Sequence, residues 1–160
     1  MKVAFLAKGD DWGSMPFYFN ISSPVGKGYP NAPFEDVAFV QFCFAAIASN
    51  TVQETPSNLK EPWSKVKVTG HMDQVTQDGI DAWQRDRRKR FGAIFEVDGI
   101  FSVAPPMRTN YAKETPYSIV GVNYILMMST LSIWPRLDKH QLAGPVAGAI
   151  RKAISPELTA

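Results

Sequence analysis

The stretch from Gly70 to Gln84 constrains the fold more than any other part of the chain. It runs Gly70-x-x-x-x-x-Thr76-x-x-Gly79-Ile80-x-x-Trp83-Gln84. A turn glycine is followed by a threonine suited to cap a helix, and then by apolar residues spaced for one helical face. The same pattern occurs earlier as Val37-x-x-Val40-Gln41-x-x-Phe44, with Ile47 continuing the stripe. Each segment sets a glutamine directly after its second apolar residue. Two amphipathic segments of this kind bury their stripes by packing on one another, so the expected fold class is mainly α.

The first helix is expected over residues 35–49, with Glu35 or Asp36 complementing its positive end, and the second over residues 76–90, with Gly92 as its stop. Between them, residues 50–65 hold two prolines and several small polar residues, which reads as a long inserted loop containing Trp63. A third helix is expected to start near Pro116 and to turn Ile119, Val122, Leu126 and Thr130 inward. The spacing Ile119-x-x-Val122-Asn123-x-x-Leu126 echoes the first helix and is read as a coincidence. A last helix would present Leu142, Val146, Ile150 and Ile154. Ahead of all these, Lys2 to Ala7 and Phe17 to Ile21 are candidate strands of a hairpin, separated by Gly9, Gly13 and Pro16. The chain thus divides into an extended arm or hairpin (1–33), a helical core (34–104) and a carboxy-terminal helical extension (105–160).

With 160 residues, of which 45% are hydrophobic, the chain is long enough to bury a core. Seventeen Lys and Arg against fifteen Asp and Glu leave a formal charge of +2, which by itself calls for neither nucleic acid nor an anionic membrane. The single cysteine, Cys43, excludes an intrachain disulfide and reads as a small buried hydrophobe among Phe42, Phe44 and Ala45. The longest apolar stretch, Ile119 to Ile133, is broken by Asn123, Ser129, Thr130 and Ser132, so no membrane span is expected. Met1 to Lys8 is too short for the core of a signal peptide.

The two glutamine-bearing segments together resemble the peptidoglycan-binding-like domain, a small helical cell-wall-binding module. Its pattern runs approximately V-x-x-L-Q-x-x-L, then D-G-x-F-G-x-x-T-x-x-A-I-x-x-F-Q, and the intervals from Gly70 to Gln84 follow it without a gap. The resemblance covers about residues 37–84, and its framework falls on Val37, Val40, Gln41, Gly70, Thr76, Ile80, Trp83 and Gln84. Thr69, Met72, Asp73 and Gly79 stand where the pattern has aspartate, an aromatic residue, glycine and alanine. The resemblance implies a small helical bundle with a short amino-terminal β element and long loops. It also implies a non-catalytic function, the binding of peptidoglycan or another envelope glycan, with the cell envelope, a virion or a secretion particle as the place of action. An alternative is a structural component of a phage tail, secretion device or other envelope-penetrating assembly, contacting neighbouring subunits through an arm rich in Phe17, Tyr18 and Phe19.

Bare chemistry adds candidates. Trp83 is expected in the core, and Gln41 and Gln84 are expected to hydrogen-bond loop backbone, because an amide both donates and accepts. Trp12 and Trp63, placed in irregular segments, are the candidates for stacking on sugar faces. Arg87, Arg88 and Arg90 form a basic run at a helix end; this is a favourable solvated terminus and, functionally, an anion patch. His71 and His140 match no metal-ligand spacing, neither a G-x-S-x-G elbow nor a P-loop is present, and acidic pairs such as Glu54 with Asp73 are generic in a chain with fifteen carboxylates. Catalysis, a cofactor, a metal and nucleic acid are therefore not expected.

Overall fold

The computed structural model describes residues 1–5, 15, 17–50, 55–105 and 117–154. Trp12, Glu54 and Pro116, and the chain between the first two strands except for Met15, lie outside the described residues. The elements run β1 (Lys2–Phe5), β2 (Phe17–Asn20), β3 (Val25–Gly26), α1 (Phe34–Ser49), α2 (Ser57–Ser64), α3 (Gln74–Phe91), β4 (Ile100–Phe101), α4 (Ser118–Ser129) and α5 (Ala147–Ala153), with a 3-10 turn at Leu137–Lys139. The fold is mainly helical, as expected. None of the described helices is long and apolar enough to cross a membrane.

α1 is the centre of the molecule. The expected stripe of Val37, Val40, Phe44 and Ile47 is buried, but so are Phe39, Phe42 and Cys43 on its other sides. A helix apolar all round is one that is surrounded. Here Phe44 meets Trp63 of α2, Phe39 meets Phe19 of β2, and Phe42 meets His140. Burial pushes the Cys43 thiol far above its ordinary range, which fits a packing role.

The hairpin pairs β1 with β2 antiparallel, Lys2 opposite Asn20 and Val3 opposite Phe19. Of the two expectations for this segment the hairpin is the one observed, and the projecting arm with Phe17, Tyr18 and Phe19 free for a partner is corrected. Phe17, Tyr18 and Phe19 are buried in the chain's own core, where Trp134 stacks on Phe17 at 5.8 Å and meets Phe19 edge-on at 5.6 Å. Three consecutive aromatic residues gain more from burial against α1 and α4 than an exposed strand returns. Buried residues of the hairpin, of α1 to α4 and of the carboxy-terminal turns belong to one cluster, so the three expected segments share a core.

Three further expectations are corrected. Residues 57–64 form the helix α2 rather than loop: Pro56 sits at its N-cap, Pro62 lies inside it, and Leu59 and Trp63, four apart, bury one face against its neighbours. Local composition signals a breaker, and tertiary burial overrides it. α3 starts earlier than expected because Asp73, not Thr76, is its N-cap, accepting from Thr76 N at 2.7 Å. Its stop at Gly92 is as expected. α4 buries Ile119, Val122 and Leu126 as the spacing implies, with Thr130 buried at its C-cap, and the last helix is shorter than expected, starting after Val146.

Candidate functional site

Carboxamide side chains organise the loops around the helices. Gln41, in α1, accepts from the backbone N–H groups of Thr69 (2.9 Å) and Gly70 (2.8 Å) and donates to His71 O and Thr76 Oγ1, both at 2.9 Å. Gln84, in α3, repeats the arrangement one turn further on, accepting from Gly99 N (2.8 Å) and donating to Asp98 Oδ1 (2.8 Å) and Ile100 O (2.9 Å). Each glutamine grips a turn built on a glycine with positive φ, +75° at Gly70 and +77° at Gly99. An L side chain is disfavoured at such a φ, and at Gly70 a Cβ would in addition lie 2.1 Å from the Phe34 ring. Thr69, in the place of the pattern's aspartate, completes the first turn by accepting from His71 N.

The echo in α4 has the same physical content. Asn123 accepts from Phe19 N and donates to Phe19 O, both at 2.9 Å, so a third amide after an apolar pair grips a neighbouring segment, in this case β2. Asn20 does likewise to Ala104, donating to its carbonyl at 2.9 Å and accepting from its N–H at 3.2 Å. A primary amide offers the same donor and acceptor pair as a strand edge, which satisfies backbone where no strand is available. The spacing at Ile119 was the signal for Asn123; nothing local marks Asn20.

A stack of flat groups leads from this framework to the surface. Phe44 and Trp63 are parallel at 4.7 Å, Trp63 and Trp83 at 5.9 Å, the Arg87 guanidinium lies 4.3 Å from the Trp83 ring and 5.3 Å from Phe91, and Phe91 meets Phe95 at 5.7 Å. Gly79 makes the inner part possible: its Cβ would stand 3.0 Å from Phe44 and 3.3 Å from Trp63, and its carbonyl accepts the Trp63 indole N–H at 3.0 Å. Trp63 is therefore fully buried with Phe44 on one face and Trp83 on the other. Its expected role in stacking on sugar is corrected, since no ring face is open to a sugar.

At the outer end of the stack a cleft of about 310 Å³ opens between α2, α3 and α4, lined among others by Trp63, Trp83, Arg87, Arg90, Phe91 and Ile125. Three of the four residues singled out as ligand candidates thus come together; Arg88 is exposed and is not among the cleft residues. Asp86, almost fully buried, accepts from Arg87 Nη2 at 2.9 Å, from Arg90 Nε at 2.9 Å and from Asn58 Nδ2 at 3.0 Å. Two guanidinium groups share one carboxylate. Burial alone would raise the Asp86 carboxyl, but the hydrogen bonds from Asn58 and Arg90 and the charges of Arg87 and Arg90 hold it below the usual carboxylate value. Two donors of the cleft residues, Trp83 Nε1–H and Arg87 Nε–H, are buried without a hydrogen-bond partner among the described residues.

A depressed carboxyl pKa fixes the sign of the pH dependence. The stabilisation from Asp86 is fully present above the unfolded carboxyl value of about 3.9 and is lost as the pH falls through the lower folded value. Asp86→Asn is expected to cost about 2 kcal/mol at neutral pH, less than a fully buried pair, because Arg90 is half exposed. The urea midpoints of the two proteins should differ by a constant amount above about pH 5 and draw together as the pH falls below the unfolded carboxyl value. A difference independent of pH would show that the variant perturbs packing rather than charge.

Among the described residues no group of three His, Cys, Asp or Glu side chains stands ready for a metal ion. No family model matches the chain, and neither does a curated protein or a solved structure.

Proposed function

We propose that the chain is a non-catalytic binding module of peptidoglycan-binding-like type, with peptidoglycan or another envelope glycan as its ligand. The observation that carries the reading is the paired glutamine framework: Gln41 and Gln84 sit at equivalent places in successive apolar patterns, and each closes a glycine turn through the glycine N–H. This gives the sequence resemblance a structural job for its two most distinctive residues. A wall ligand would meet the cleft at the outer end of α3, where Arg87 and Arg90 supply charge and donors beside the exposed ring of Phe91.

Retention of the full chain on insoluble peptidoglycan tests this. Retention is expected, with Arg90→Glu weakening it and Arg88→Glu, outside the cleft, weakening it less. Raising the salt from about 0.1 M to about 1 M, which shortens screening from about 10 Å to about 3 Å, should reproduce the Arg90→Glu loss. A chain that passes through unretained at every salt concentration removes the wall reading.

A second reading, a component of an envelope-penetrating assembly, draws on one observation. Phe91, Ile94 and Val97 remain exposed at 51%, 54% and 39% within a short stretch after α3. Large apolar side chains gathered at a surface suit contact with another subunit. Concentration-dependent association in sedimentation, abolished by Ile94→Asp, is the outcome this reading requires.

A further inference from the structure

The cleft between α2, α3 and α4 has the composition of a site for a single negative charge attached to a small apolar body. Among the described residues Arg87 and Arg90 carry two positive charges and share one carboxylate, that of Asp86, which leaves one positive charge in excess there. Arg87 Nε–H and Trp83 Nε1–H are buried donors without acceptors among the described residues, a state that costs free energy until something accepts from them. The rest of the lining is mostly apolar, from Pro56, Leu59, Ile125 and the rings of Trp83 and Phe91, with Thr55 and Ser129 as its hydroxyl residues. A dianionic phosphate would bring more charge than the site offsets, and an uncharged sugar would leave the excess charge unanswered. A carboxylate presents one charge and two acceptor oxygens, and guanidinium donors match that geometry.

We propose that this cleft binds the free carboxylate end of a short peptide, with Arg87 Nε–H and the Trp83 indole N–H donating to its oxygens and the apolar walls taking the last side chain. The inner side of the Arg87 guanidinium rests on Trp83, which is nearly fully buried, whereas its outer neighbour Phe91 is half exposed. Entry therefore proceeds by displacement of Phe91, the one ring of the stack beside Arg87 that is free to yield. The proposal goes beyond wall binding, because it assigns a chemical group that wall peptides and ordinary protein chain ends share.

The test is a titration of the full chain, followed by proton–nitrogen correlation spectra, with N-acetyl-alanyl-alanine as the probe in its D,D and L,L forms and as the corresponding C-terminal amides. The Trp83 indole cross-peak is expected to move with the free acids and to stay in place with the amides. Arg87→Lys keeps the charge but removes the Nε–H, and should weaken binding about tenfold. Preference for the D,D acid assigns the ligand to wall peptides, and preference for the L,L acid assigns it to protein chain ends. Equal response to acids and amides overturns the proposal, as does an immobile Trp83 peak at probe concentrations up to about 10 mM, where millimolar binding is visible. Because acid and amide are compared on the unaltered protein, the result stands even if the Arg87 variant folds poorly. Loss of retention on peptidoglycan with the acid response intact would count against the wall reading alone.

Discussion

Trp63→Ala is expected to lower the unfolding free energy by about 3–5 kcal/mol, the range for deleting a large aromatic side chain from a packed core. In a domain of this size that corresponds to a fall in melting temperature of roughly 6–20 °C. The side chain is fully buried, lies between Phe44 and Trp83, and donates its indole N–H to the Gly79 carbonyl. Its removal opens a cavity in the stack and leaves the inner face of Trp83 without a partner. Thermal and urea melts check the size of the effect. A variant that melts within about 2 °C of the parent, a change near 1 kcal/mol or less, but is no longer retained on peptidoglycan would restore Trp63 as a ligand residue and refute the buried assignment.

Gln41→Leu has the second largest expected effect, about 3 kcal/mol. Leucine comes close to glutamine in volume, so the loss measures hydrogen bonding more than packing. The Gly70 N–H is buried and would lose its acceptor, at a cost of about 1–3 kcal/mol, while the bonds to His71 O and Thr76 Oγ1 add about 0.5–1.5 kcal/mol each. Hydrogen exchange gives a sharper check than a melt. In the Gln41 variant the Gly70 amide should exchange faster than global unfolding allows while Gly99 keeps its protection, and Gln84→Leu should do the reverse, because each glutamine serves its own turn. Joint loss of protection at both glycines in either variant would show that the two turns open as one unit.

The glutamines also mark how far the sequence reaches. Their position after an apolar pair predicts a side chain at the edge of a buried stripe, and an amide at that edge binds loop backbone; both are observed. The same spacing in α4 is equally legible, but a pattern of three positions does not say which segment an amide will meet, and so it reads as coincidence. Asn123 meets β2, which precedes it by about a hundred residues, a pairing set by the packing of the hairpin on α4. The basic run was visible as a run. That Arg87 and Arg90 turn to one cleft while Arg88 points elsewhere follows from the helical rotation of α3 against α2 and α4.

By itself the sequence determined the mainly helical class, the two principal helices to within a few residues, the stop at Gly92, the buried cysteine and the work of Gln41 and Gln84. These are set by neighbours three and four apart, and helical periodicity makes them readable in one dimension. Only the tertiary structure decided that residues 57–64 are helix, that the hairpin aromatics turn inward, and that Trp63 is core. In each case the local signal, prolines or an isolated aromatic cluster, was outweighed by apolar surface buried against segments distant in the chain. The cleft belongs to the same class: the charge excess and the two unpartnered donors found among its described residues arise from three helices meeting, and no single stretch of sequence contains them.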